Sequence, residues 1–264
     1  MSAPVSRLAV ELGRIAHDAG RLILKYYSAV GEVRTKADAS PVTKADEEAE
    51  ALILDRLAEL EPGVPVIAEE SVAKGHVPKT GSRFFLVDPL DGTKEFLQKN
   101  GEFTVNIALI ENGRPVAGVV IAPAKARAFI GDGANGAFEL AAPEDLRLEV
   151  GAAQRIRARK PPPEGLVAVV SRTHRDTKTE HYLAAYRVAN VVAAGSSLKF
   201  CLVATGEADL YPRHGTTMEW DTAAGQAVLE AAGGSVTTLD GDPLTYGKVA
   251  RGFVNPHFIA RGAG

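Results

Sequence analysis

Nine residues, Asp88–Phe96 with the sequence DPLDGTKEF, restrict this chain more than any other segment. They continue an apolar run, RFFLV, that reads as a strand. Pro89 and Gly92 forbid a helix from running through, because proline removes a backbone donor and glycine is a poor helix former. The strand is therefore expected to stop at Asp88 and the chain to bend. Asp88 and Asp91 lie three residues apart across that bend, with a glycine and a threonine directly behind. There the carbonyl of Leu90 can point the same way as both carboxylates. That gives three hard oxygens from four residues, half of the six that Mg²⁺ takes. Gly92 lets the main chain approach a ligand, Thr93 adds a hydroxyl, and a helix beginning there would aim its N–H groups at an anion. A plain surface turn needs no such combination.

Around this segment the periodicities change along the chain. Leu8, Leu12, Ile15, Ala16, Ala19, Leu22, Ile23 and Tyr26 recur at helical spacing and predict a first amphipathic helix. A polar stretch punctuated by Pro41 follows, and Ala49, Leu52, Ile53, Leu57 and Leu60 predict a second helix starting near Asp46. Short apolar runs in VPVIAEE and RFFLVDP read as strands that end in carboxylates. FTVNIALIENGRPVAGVVIAP reads as a hairpin turning at Asn112-Gly113, and KARAFIGDGANGAFEL as another strand–turn–strand unit. Three successive prolines in ARKPPPEG, residues 158–165, mark a linker. Beyond it strand and helix signals alternate through LVAVVS, TKTEHYLAAY, VANVVAAG, SSLKFCLVATG and WDTAAGQAVLEAAGG, with late strands expected in SVTTL and GFVNP. The pattern predicts an α+β domain over residues 1–158 and an α/β domain over residues 159–264.

Other segments also deliver acids at the edges of elements. AEES presents Glu69 and Glu70 at a strand end, WDTAAG opens a helix with Asp221, and Asp46 stands at the start of the second helix. Each has an ordinary reading alone: Asp46 suits the positive end of a helix dipole, and Asp221 a helix cap. Clustered together, such acids would repel one another and titrate high unless cations lay between them, which points to a centre of two or three Mg²⁺ ions. Histidine offers no other metal set: His17 and His181 fall on helices and His76, His214 and His257 in loops, none with a spaced partner.

Composition removes whole classes of function. The 264 residues are 45% hydrophobic and 24% charged, as in an ordinary globular protein. A net charge of −3 leaves no electrostatic footprint for nucleic acid. The single cysteine, Cys201, excludes an internal disulfide and a Cys-built zinc site, and its apolar helical setting reads as a buried, inert thiol. No run approaches the ~18 apolar residues of a transmembrane segment. Charges come too early at the N-terminus for a secretory signal, so a cytoplasmic location is expected, with peripheral attachment to the inner membrane left open.

AEES, DPLDGT and WDTAAGQAVLEAAGG resemble the signatures of the inositol monophosphatase-like, lithium-sensitive phosphatases. Within that family, DPLDGTKEF, VSRTHRD and GSSLKFCLVATGEADLYPRHG look like the 3′(2′),5′-bisphosphate nucleotidases, with KEF where simple inositol monophosphatases carry TNF. The resemblance covers most of the chain and implies a layered αβαβα sandwich. It implies Glu69, Asp88, the Leu90 carbonyl, Asp91 and Asp221 as metal ligands, with Asp46 near a loosely held third Mg²⁺. Glu69 and Thr93 would then orient the attacking water with help from Asp46, and Gly92 and Thr93 would bind phosphate beside Glu69, Leu90, Asp91 and Asp221. Ser171, His174, Gly195 and Lys199 match positions that contact adenosine bisphosphate, and Arg213 would meet the retained 5′-phosphate. For His174 a plain loop role stays open, as does an N-cap role for Ser196 or Ser197. The implied activity is Mg²⁺-dependent hydrolysis of the 3′-phosphate of adenosine 3′,5′-bisphosphate, inhibited by Li⁺, in sulfur assimilation or nucleotide salvage. 3′-Phosphoadenosine 5′-phosphosulfate is a further candidate substrate. The alternatives are an inositol or sugar-phosphate phosphatase and a non-catalytic Mg²⁺–nucleotide sensor. The partner expected is thus a small nucleotide, and the chain itself a monomer or homodimer.

Overall fold

Two large sheets, of seven and five strands, organise the chain, beside a separate two-stranded antiparallel pair near the N-terminus. The structure, a computed structural model, describes residues 5–28, 33–35, 41–145, 147–172 and 177–264. In chain order the elements are α1 (Arg7–Ser28), β1 (Val33–Thr35), β2 (Pro41–Thr43), α2 (Lys44–Leu60), β3 (Val66–Ala68), α3 (Glu69–Ala73), β4 (Arg83–Asp91) and α4 (Thr93–Leu97). Then come β5 (Thr104–Glu111), β6 (Arg114–Ala122), β7 (Arg127–Asp132), β8 (Gly136–Ala141) and β9 (Gln154–Ile156). The remainder is β10 (Leu166–Ser171), α5 (Thr177–Leu183), β11 (Val188–Ala194), α6 (Leu198–Ala204), β12 (Leu210–Arg213), α7 (Glu219–Ala231), β13 (Ser235–Thr238) and β14 (Phe258–Arg261).

The larger sheet runs β3-β4-β5-β6-β7-β8-β9, antiparallel except for the parallel pair β3 and β4. Its strands are apolar on both faces, so each face needs a covering layer. Phe85, Val87, Ile107, Leu109 and Val119 pack with Leu12, Ile15, Ala16, Ala19 and Ile23 of α1 and with Ile53 and Leu57 of α2. Phe84, Leu86, Ala108, Ile110 and Val120 pack on the other side with Phe200 of α6 and Trp220, Ala224 and Val228 of α7. The same core takes in Val169, Tyr211, Val236, Phe258 and Ala260 from the inner face of the smaller sheet, ordered β11-β10-β12-β14-β13. Its outer face, with Leu166, Ala168, Leu210 and Ile259, is covered by Tyr182 and Leu183 of α5. The layers therefore alternate helix, sheet, helix, sheet, helix, the sandwich the resemblance implied.

α7 comes from the second half of the sequence yet packs on β5, β6 and β7. Its approach is close enough to need glycine opposite: a Cβ on Gly118 would lie 2.6 Å from that of Ala227, and one on Gly131 2.5 Å from the Ala227 carbonyl. The proline-rich segment 158–165 is also tied down, because Ala158 donates to Ala232 O and Arg159 forms a two-point pair with Asp209. Among the described residues, no helix is long and apolar enough to cross a membrane.

Two local expectations need correction. GFVNP is not a strand; Val254 makes one isolated bridge to Met218, and the last strand comes at Phe258–Arg261. A 3₁₀ turn at Val249–Arg251 runs into Gly252 and Phe253, both at positive φ, and Pro256 has no N–H to give a ladder, so the segment forms no strand. The strand carrying RFFLV does not stop at Asp88 but continues to Asp91. The hairpin at Asn112-Gly113 is as expected, with both residues at positive φ.

Candidate active site

The continuation of β4 is what gathers the acids. Asp88 pairs with Asn106 and Asp91 with Thr104, so the two residues Pro89 and Leu90 stand opposite Val105 alone. This is a bulge, and proline is tolerated in it because a bulged residue need not donate to the ladder. In a regular strand, residues three apart point to opposite faces. The extra residue turns Asp91 to the face of Asp88, toward α6 and α7, while Leu90 packs on the α1–α2 side. The Leu90 N–H donates to Asp88 Oδ1 at 3.0 Å, and the Thr93 hydroxyl donates to the Leu90 carbonyl at 3.4 Å. Gly92 has φ 92°, a left-handed turn that glycine allows, and α4 then begins at Thr93 as anticipated.

Two other segments bring their acids to the same place, and a third sets one within electrostatic reach. β3 runs parallel to β4 with Ala68 opposite Val87, so the next residue, Glu69, follows toward Asp88. α3 is held there by Glu50 of α2, whose carboxylate accepts the Glu70 N–H and the Ser71 hydroxyl, each at 2.7 Å. Asp221 enters on the first turn of α7 and also caps it, accepting the Met218 N–H at 2.8 Å. Asp221 thus caps the helix and also lines the cavity described below. Asp46 lies in the first turn of α2, 1% exposed, does not line the cavity, and acts on Asp88 through its charge.

Electrostatics register the convergence. Burial, and then the charges of Glu69, Asp91, Asp221 and Asp46, push the Asp88 pKa well above the usual carboxylate value. Burial and the charges of Asp91 and Glu69 do the same to Asp221. Asp91 is raised to about 6 by burial, with Lys199 and the Ser197 N–H opposing the rise.

Glu69, Asp88, Leu90, Asp91, Gly92, Thr93 and Asp221 line one side of a cavity of about 490 Å³. Ser171, Lys199 and Arg213 line it from the smaller sheet and α6. Lys199 is 5% exposed, and burial with Arg213 nearby lowers its pKa to about 8 against the pull of Asp91. Arg213 Nε is buried with no hydrogen-bond partner among the described residues. Gly195 does not line the cavity; it lies behind it, its N–H donating to Glu102. His174 lies outside the described residues.

The residues that join the two sides, Ser197 and Asn106, are not site candidates from local sequence. Ser197 donates its N–H to Asp91 Oδ2 at 2.7 Å and its hydroxyl to the Asp221 carbonyl at 2.6 Å, while Asn106 donates to Ser197 Oγ at 3.1 Å. Ser197 does stand at the N-cap of α6, but its side chain makes no cap bond. The one available hint was Asn106, a polar residue in the apolar run TVNIALI.

Among the described residues, no three His, Cys, Asp or Glu side chains are drawn together tightly enough to form a complete ligand set as they stand. The donor chemistry fits a hard divalent cation: buried carboxylates and a carbonyl, oxygen throughout, whose mutual repulsion a cation would relieve. Cys201 supplies no alternative chemistry, since burial in α6 pushes its thiol pKa up.

The profile of the inositol monophosphatase family matches residues 3–261. The chain belongs to the inositol monophosphatase family. The family comprises metal-dependent phosphatases. Among its members, the 3′(2′),5′-bisphosphate nucleotidase CysQ of Escherichia coli K12 is 44% identical over 247 residues, covering 93% of this chain and 96% of that protein. The CysQ nucleotidase of Buchnera aphidicola is 40% identical over 94% of this chain and 91% of its own. In structure, CysQ from Bacteroides thetaiotaomicron superposes with a TM-score of 0.81 at 37% identity, covering 97% of both chains. The Thermotoga maritima IMPase gives 0.75 at 26% identity, covering 94% of this chain and 89% of its own.

Proposed function

We propose that the protein is a Mg²⁺-dependent phosphatase that removes the 3′-phosphate of adenosine 3′,5′-bisphosphate, leaving AMP, with 3′-phosphoadenosine 5′-phosphosulfate as a second substrate. The observation that carries this reading is a single cavity with acids on one wall and Lys199 and Arg213 on the other. A small monophosphate needs only the first wall, whereas a substrate with two anionic groups uses both. The names of the more similar relatives support the same substrate class.

Bound Mg²⁺, two or three ions, supplies Lewis acidity and neutralises charge at the phosphoryl group. Glu69, Asp88, the Leu90 carbonyl, Asp91 and Asp221 hold the ions. Glu69 and Thr93 orient the attacking water in line with phosphorus, and the charge of Asp46, already felt by Asp88, assists. The N–H groups of Gly92 and Thr93 meet the phosphoryl oxygens as charge builds on them, the kind of fixed contact whose loss costs about 10²–10³ in rate. Ser171, His174 and Lys199 take the nucleoside side, Arg213 takes the 5′-phosphate, and Gly195 shapes that wall from behind. No side-chain nucleophile is required.

The test is phosphate release by pure protein from adenosine 3′,5′-bisphosphate, its 5′-phosphosulfate relative and inositol monophosphate, with Mg²⁺, with chelator and with Li⁺. The expected result is preference for the nucleotides, no turnover with chelator, and inhibition by Li⁺. Preference for the inositol ester, or turnover that survives chelation, would falsify the assignment.

A further inference from the structure

Glu102 lies between α4 and β5, outside the cavity, yet its carboxylate gathers contacts from the far side of it. Arg172 donates Nε and Nη2 to its two oxygens, both at 2.8 Å, and the Gly195 N–H donates to Oε2 at 2.9 Å. The Glu102 carbonyl accepts the Ser196 hydroxyl at 3.0 Å. Arg172 follows the cavity residue Ser171 at the end of β10, and also donates to the Ala193 carbonyl at the end of β11. One residue of the first half thus holds the ends of two strands of the second.

The turn held in this way leads directly into α6, which carries Lys199 of the cationic wall. The turn has no slack: a Cβ on Gly195 would lie 2.6 Å from the Glu102 carbonyl oxygen and 2.8 Å from Glu95 Cγ. Two residues on, Ser197 is bonded to Asp91 and to the Asp221 carbonyl, and Lys199 donates from Nζ to the Ser196 carbonyl. Moving the turn would move Lys199 relative to the acids. The Arg172 side chain is 43% exposed, so its ion pair adds little stability. A two-point guanidinium–carboxylate pair nevertheless fixes geometry well. Position, more than stability, is what this contact supplies.

We propose that Glu102, latched by Arg172, is a positioning residue: it sets the Gly195–Lys199 turn against the acidic wall and so favours substrates with two phosphates over those with one. The selectivity half rests on the function proposed above; the latch itself does not. The experiment compares wild type, Glu102→Ala, Arg172→Ala and the double variant. It measures kcat/KM on adenosine 3′,5′-bisphosphate and on p-nitrophenyl phosphate in Mg²⁺, together with amide hydrogen exchange over residues 193–199. In each single variant the ratio of the two kcat/KM values should fall about tenfold, chiefly through KM for the bisphosphate, since a misplacement near 1 Å can cost up to about 10²-fold. The double variant should fall no further than Glu102→Ala, because the two residues act as one unit. The Gly195 amide should exchange faster in Glu102→Ala.

Equal losses on both esters, additive losses, or unchanged exchange overturn the proposal. Should Glu102→Ala fail to fold, Glu102→Gln, which keeps the size and loses the charge, carries the same comparisons. A wild type that leaves the bisphosphate intact defeats the proposed activity instead, and the exchange measurement then decides the latch alone.

Discussion

The acidic wall of the cavity and the cationic wall facing it are built by different means. Asp88 and Asp91 are fixed by sheet register, Glu69 by the strand running beside them, and Asp221 by the first turn of α7. The cationic wall hangs on the end of β12 and the first turn of α6, with Arg213 and Lys199 reaching in on long side chains. Like charges brought together in a buried site drive one another apart, so the backbone beneath them must be stiff. The cationic wall carries less of this repulsion, between Lys199 and Arg213, than the four gathered carboxylates. It can be made of looser parts, provided something sets its distance from the first.

The sharpest break between the walls is expected from Asp91→Asn. Mg²⁺-dependent phosphate release should fall by about 10²–10³ or more, as for loss of a preorganised electrostatic contact. The melting temperature without Mg²⁺ should hold or rise, since one of several mutually repelling buried acids is gone. Near-normal turnover would break the metal assignment. Next in size is Lys199→Met, which should cost about 10- to 100-fold in kcat/KM on the bisphosphate, the worth of a hydrogen bond to a charged group. p-Nitrophenyl phosphate should suffer much less; equal losses would mean that the walls are not functionally separate.

Gly131→Ala should strike neither wall alone. Its new Cβ would press on Ala227 and destabilise the fold by about 1–3 kcal/mol in denaturant titration, the usual cost of overpacking. Activity on both esters should then decline together as unfolding sets in. A selective loss on one ester would show that α7 serves one wall only.

The smallest effect tests a site remote from both. Burial alone would raise the pKa of Asp132, but hydrogen bonds from Asn135, Ser6 and Ala134 outweigh it and hold the carboxyl below its usual value. A depressed carboxylate stabilises the fold above its unfolded-state pKa, about 3.9, and that contribution is lost as pH falls through the lower folded value. Asp132→Asn should therefore flatten the acid limb of the stability profile below about pH 4 without altering selectivity. A change in the ratio of the two esters would couple α1 to the site.

The acidic wall was the legible one. DPLDGT, AEES and WDTAAG each pair an acid with the local feature that orients it, so short stretches of sequence carry most of the information. The bend after RFFLV was misread in form, because a proline in a bulge and a proline ending a strand leave the same local mark. The late strand misassigned to GFVNP and the unforeseen β12 are short segments whose pairing is decided by distant neighbours. Ser197, Asn106 and Glu102 act through partners far along the chain, such as Asn106 with Ser197 at 91 residues and Glu102 with Gly195 at 93, and no spacing rule reaches that far.

One surplus residue in β4 has a further consequence. A pleated chain counts in twos, and the shared face of Asp88 and Asp91 depends on an odd count having been made even between them. Surface loops absorb a lost residue readily, whereas deletion of Pro89 or Leu90 would flip the parity and leave the two carboxylates back to back across the sheet. What holds this short run in shape is therefore its length as much as its letters.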